Sequence, residues 1–193
     1  MPLPSFDMRG LLPPFLGADA TTRDRSPYFV TVGELAAALG TSPERRNLIR
    51  NLIAYRKLLA DEGYESGIQF VDGSFVENVE TRAKRPPGDI DLFSLLRTPK
   101  KYLGSPPPSQ WATLGKTFWM TEVADREKNK QRFALDTYAL LFEELQPMVL
   151  IRGTIYWYGL FSHQRETLDW KGFAMLELDP AGDEIALANM GSE

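Results

Sequence analysis

The chain has no cysteine. That excludes a disulfide scaffold, a thiolate zinc site and a cysteine nucleophile, and it fits a reducing compartment. It has one histidine, His163, which excludes multi-histidine metal sites. No apolar run approaches the roughly 18 residues that a membrane span needs. The longest, such as Tyr138 to Phe142 and Met148 to Ile151, are short. The opening MPLPSFDMRG lacks a basic region followed by an apolar stretch, so no secretion signal is expected. A cytoplasmic protein with no membrane partner is the expectation. A strong charge excess is also missing. The 22 Lys and Arg stand against 26 Asp and Glu, a net charge of −4, which argues against attachment to nucleic acid by bulk charge.

What is present suits a folded globule. Hydrophobic residues at 43% and charged residues at 25% argue against global disorder. The 11 Phe, 7 Tyr and 4 Trp are enough large side chains for a core. A length of 193 residues predicts one domain. Five prolines within residues 1–30 disfavour a helix and predict an extended arm that packs Leu11, Leu12 and Phe15 on the body. The domain proper is expected over 31–180, with 181–193 a flexible tail.

Thr31-Val-Gly-Glu34 has the form of a capping box before a short helix ending near Gly40. Ser42 and Pro43 open a longer helix that Gly63 stops, with Leu48, Ile49, Leu52, Ile53, Leu58 and Leu59 at helical spacing. Its other face carries Arg45, Arg46, Arg50, Arg56 and Lys57, read as a solvated face. Strands are expected over 68–74, 89–96, 132–138 and 172–178, and helices over 110–120 and 147–161. The last of these is so apolar that it reads as buried. The fold class is therefore α/β (α+β), a small mixed sheet with helices packed mainly on one face.

The informative stretch is Asp72-Gly-Ser-Phe-Val76 followed by Pro87-Gly-Asp-Ile-Asp91. A strand runs into Gly73-Ser74. Asp89 and Asp91 follow after a polar connection, at i and i+2 of a second strand. Such a pair projects to the same side with β-carbons about 6–7 Å apart. Two carboxylates at that spacing suit divalent cations, which take hard oxygen ligands together with substrate phosphate. Gly73 lets backbone approach a phosphate closely, and Ser74 offers a hydroxyl and an N–H. A helix starting there would add a partial positive charge. Asp136 interrupts the apolar run Phe133-Ala-Leu-Asp-Thr-Tyr138 and is the candidate third acid, because a charge in mid-strand is costly unless paired or liganded.

These residues resemble the polymerase-beta-like nucleotidyltransferase superfamily: Gly-Ser after one strand, Asp-x-Asp on the next, a further acid on a third. The likeness runs from about Ile68 to Leu140. A looser likeness, carried by Gly10-Leu-Leu-Pro-Pro14, Tyr156-Trp-Tyr-Gly-Leu-Phe161 and Lys171-Gly-Phe173, joins the chain to an uncharacterised bacterial family of short nucleotidyltransferase-like proteins. The connection between Ser74 and Asp89 is longer here than in minimal members. The resemblance implies that Gly73 and Ser74 hold nucleotide phosphates and that Asp89, Asp91 and Asp136 ligate two Mg2+ or Mn2+ ions. It implies transfer of a nucleoside monophosphate from an NTP or dNTP to a hydroxyl. The acceptor would be a side chain of a partner protein, such as a toxin or effector encoded nearby, or a growing template-free oligonucleotide. A toxin–antitoxin or antiphage setting goes with it, as does the alternative of an inactive, antitoxin-like binding protein. Lys130 and Lys171 are further nucleotide-binding candidates. Lys128, Arg132, Lys100, Lys101 and His163 read as solvated or helix-end residues, and Trp111, Trp119, Tyr156, Trp157 and Tyr158 as core or rim.

Overall fold

A computed structural model describes residues 2–103, 114–142 and 146–191. In chain order the elements are β1 (Tyr28–Phe29), α1 (Val32–Leu39), α2 (Pro43–Glu62), β2 (Gly67–Asp72), α3 (Val79–Arg82), β3 (Ile90–Leu96), α4 (Lys116–Phe118, continued by a wider turn over Trp119–Val123), α5 (Arg126–Phe133), β4 (Leu135–Leu141), α6 (Pro147–Phe161), β5 (Ala174–Glu177) and α7 (Pro180–Met190). Local chemistry sets several ends. Thr31 and Glu34 form the reciprocal capping box of α1. Ser42 accepts from the Arg45 N–H at the start of α2, Pro43 fills its first turn, and Gly63 ends it in the left-handed conformation.

The five strands form one mixed sheet in the order β1-β5-β2-β3-β4. β2 runs antiparallel to β3 and β5, whereas β3 and β4 are parallel, as are β1 and β5. One face carries Val71, Ile90, Leu92, Leu135 and Leu176, all buried with apolar residues of α1, α2 and α7. The opposite face carries Phe70, Phe93, Tyr138 and Met175 and is covered by α6 through Trp157, Tyr158 and Phe161. Among the described residues helices thus lie mainly on one face, with α6 on the other.

Four expectations need correction. First, α6 is not buried all round: Met148, Val149, Ile151, Ile155 and Tyr156 are exposed. Only its inner side meets the sheet, and apolar composition alone cannot say whether one side of a helix is covered or both. Second, the basic face of α2 is not wholly solvated. Arg45 and Arg56 are fully buried. Arg45 pairs with Glu80 and donates to the Phe75 and Glu77 carbonyls. Arg56 pairs with Asp183 and donates to Gln69 Oε1 and the Glu177 carbonyl. Third, residues 132–134 are not strand, because α5 runs to Phe133 and Ala134 turns the chain in the left-handed region before β4. Fourth, the tail is helical through Met190. Asp179 caps α7, and Asp183, Ala186 and Met190 are buried. The Arg56–Asp183 pair ties it down, joining residues far apart in sequence.

The arm packs Leu11 and Leu12 into the body, and its last residues form β1 at the sheet edge. Of the helix expected over 110–120, residues 110–113 and therefore Trp111 lie outside the described residues. Among the described residues no helix is long and apolar enough to cross a membrane.

Candidate functional site

The sheet register builds the site. Asp72 of β2 pairs with Asp91 of β3, and Asp91 with Asp136 of β4. Register partners project to the same side, so three carboxylates form one row across three adjacent strands. Two residues along each strand, Phe70, Phe93 and Tyr138 form the next row on that side. Trp157 stacks on Phe93 at 4.9 Å and meets Tyr138 at 4.4 Å between ring centroids. α6 covers the aromatic row and leaves the acidic row open. A polar cleft of about 340 Å³ results, within the size range of small-molecule sites.

All seven residues named from the sequence line this cleft: Gly73, Ser74, Asp89, Asp91, Lys130, Asp136 and Lys171. Asp89 lies just before β3, two residues from Asp91 on the same side. Gly73 has φ +82°, and a β-carbon there would meet Asp91 Oδ2 at 2.7 Å. The glycine turn and the second acid are thus in direct contact, and only glycine fits. In place of a helix that would add a partial positive charge, Gly73–Val76 form a four-residue 3-10 turn. That is too short for an appreciable helix dipole.

Each acid has a basic partner, and the partners fall into two classes. Lys171 is only 2% exposed, contacts Asp72 at 2.6 Å and Glu77 at 3.3 Å, and reaches the Gly73 carbonyl at 3.5 Å. Burial pushes the Asp72 carboxyl up to about 6, opposed by Lys171 and helped slightly by the Asp91 charge. The other three partners are solvated. Arg126 grips Asp136 through Nε and Nη2 at 2.9 and 3.0 Å while its guanidinium lies 4.0 Å over the Tyr138 ring. Lys130, one turn further along α5, meets Asp89 at 2.9 Å. Arg165, from the loop after α6, meets Asp91 at 2.9 Å. Their side chains are 47%, 52% and 70% exposed respectively. Burial raises the Asp91 carboxyl above its ordinary value; Arg165 opposes the rise, and the Asp89 and Asp136 charges add to it.

Sequence reasoning did not assign roles to Asp72, Glu77, Arg126 or Arg165. Asp72 was findable, since it is the strand residue that abuts the glycine turn. Arg165 carries no local signal, because it reaches the site only through the path of the loop after α6. Of the lesser candidates, Lys128 and Arg132 pair with Glu122 and Lys101 with Glu62, away from the acid row. His163 lines the cleft, and its Nδ1 bonds the Gly159 carbonyl at 2.9 Å, as a helix-end histidine does.

Asp89, Asp91 and Asp136 offer oxygen donors only, the type that magnesium and manganese take, and their mutual repulsion concentrates negative charge where a cation would relieve it. The donor chemistry therefore fits such ions. Among the described residues no group of three or more acidic or histidine side chains is arranged to hold a metal ion.

Residues 4–177 match DUF6932, a family of unknown function, and the chain belongs to that family. No curated protein and no solved structure matches it.

Proposed function

We propose that this DUF6932 protein is a metal-dependent nucleotidyltransferase that moves a nucleoside monophosphate from an NTP or dNTP to a hydroxyl. One observation carries the reading. A glycine turn with an adjacent serine, an Asp-x-Asp pair and a third acid meet at one end of three neighbouring strands, with Gly73 pressed against Asp91.

In this reading the Gly73–Ser74 turn receives the β- and γ-phosphates through backbone N–H groups and the Ser74 hydroxyl. Lys171 braces that turn through Asp72, Glu77 and the Gly73 carbonyl. Asp89 and Asp91 would hold two Mg2+ or Mn2+ ions, and Asp136 one of them. When bound, such ions offset the charge on the attacking and leaving oxygens of an in-line displacement. Asp136 orients the acceptor hydroxyl and accepts its proton. Lys130 faces the leaving pyrophosphate. In this proposal the acceptor is a side chain of a partner protein, such as a neighbouring toxin or effector, or a template-free oligonucleotide. A cytoplasmic toxin–antitoxin or antiphage setting accompanies this proposal.

One observation favours a second reading, an inactive antitoxin-like binding protein: every acid in the row already has a basic partner. The discriminating experiment is incubation with each labelled triphosphate and Mg2+ or Mn2+, with and without the products of adjacent genes. A labelled protein or oligomer that disappears in Asp89→Asn/Asp91→Asn supports the enzyme. No product under any condition, with the double variant keeping its cellular effect, supports the binding protein.

A further inference from the structure

The three solvated ion pairs differ from the buried ones in a way that bears on how the cleft loads. Arg56–Asp183 and Lys171–Asp72 are enclosed on both sides and hold fixed positions. Arg126, Lys130 and Arg165 cap their acids from the solvent side, with about half or more of each basic side chain exposed. Two of them lie one turn apart on α5 and the third approaches from the loop after α6, so the acids are gripped from two separate elements.

We propose that Arg126, Lys130 and Arg165 are exchangeable counter-ions. They pair with Asp136, Asp89 and Asp91 and transfer to the phosphate oxygens of a metal-bound triphosphate when it binds. The inference rests on the nucleotidyltransferase reading and adds its loading order: metal and triphosphate enter together.

The charges carry the argument. These three carboxylates and their three basic partners sum to zero. Two divalent ions and a triphosphate of about four negative charges also sum to zero. Exchange of partners is therefore neutral overall: the acids turn to the metal ions, and the freed cations turn to phosphate, for which guanidinium groups are well shaped. Metal alone would leave the three released cations facing two divalent ions. Triphosphate alone would meet acids on one side and already-engaged cations on the other. Either half-loaded state strands like charges close together.

The test is equilibrium dialysis of the full chain against Mn2+, with and without inorganic triphosphate, which avoids any choice of base. In the wild type, triphosphate is expected to tighten Mn2+ binding at least tenfold. In Arg126→Gln/Arg165→Gln, Mn2+ alone should bind at least tenfold more tightly than in the wild type, and the enhancement by triphosphate should fall below twofold. Arg165→Lys keeps the charge and should restore most of the enhancement. Both substituted residues are solvated, and circular dichroism checks that the variants fold. Equal Mn2+ affinity in wild type and variants, with the enhancement intact, overturns the exchange and leaves the nucleotidyltransferase reading standing. Absence of Mn2+ binding in every protein, with or without triphosphate, overturns both.

Discussion

Replacing Gly73 by alanine tests the contact between the glycine turn and the acid row. Two costs combine. Alanine at φ +82° occupies the left-handed region, at about 1–2 kcal/mol. Its β-carbon would lie 2.7 Å from Asp91 Oδ2, 3.1 Å from Cγ and 3.2 Å from the Asp91 backbone nitrogen. The carboxylate can rotate away by giving up Arg165, but the backbone nitrogen cannot retreat without opening the β2–β3 ladder. Such overpacking costs about 1–3 kcal/mol. The expected loss is about 2–5 kcal/mol, which for a chain of this size lowers Tm by about 4–20 °C. Urea unfolding and a thermal melt measure it, and Mn2+ binding with triphosphate should be lost as well. Gly88→Ala is the matched control. A β-carbon there meets nothing within 4 Å, so stability should hold or rise by up to about 1 kcal/mol. If Gly73→Ala unfolds within about 1 kcal/mol of wild type and binds Mn2+ as before, the contact does not define the site.

Further expectations concern the buried charges and the phosphate turn. Arg56→Ala should cost about 3–5 kcal/mol in urea unfolding, because Asp183 is left buried without its guanidinium. Lys57→Ala, on the solvated side of the same helix, should leave the midpoint unchanged. The raised Asp72 carboxyl keeps its proton in the folded protein between about pH 4 and pH 6, where the unfolded chain has released it. Its contribution to stability is therefore fully present below its ordinary value and is lost as pH rises to about 6. The difference in unfolding free energy between wild type and Asp72→Asn should drift across that window and stay level above it; a level difference throughout would show that Asp72 does not titrate there. Ser74→Ala should reduce kcat/KM for the triphosphate about 10- to 100-fold, the loss of one or two charge-assisted hydrogen bonds, and unchanged kinetics would remove Ser74 from the site.

Elements whose ends are fixed by neighbouring residues were legible in the sequence. Ser42, Pro43 and Gly63 bound α2 because capping and left-handed termination act within a turn of chain. α5 was not legible. Its sequence, REKNKQRF, has no apolar period, and it packs through Phe133 and through Asn129, whose side chain bonds Thr137 on β4. α7 was misread because its anchor is Arg56 on another helix. At the site, Gly73, Ser74, Asp89, Asp91 and Asp136 could be named because glycine turns and acids on strands are unusual locally. What the sequence could not convey is register. Only the pairing of Asp72 with Asp91 and of Asp91 with Asp136 aligns the acids, and only the tertiary path of the chain brings Arg126 and Arg165 onto them.

The aromatic row behind the acids gives this protein an optical readout of its own cleft. Arg126 lies over one face of Tyr138, and the indole of Trp157 sits 4.4 Å from that same ring. The emission of an indole follows the electric field and the polarity around it. A charge leaving the Tyr138 face changes that field at the next ring, with no dye attached and no residue replaced. Trp157 fluorescence can therefore be followed in stopped flow as ligands enter, on the native chain, with Trp157→Phe as the blank.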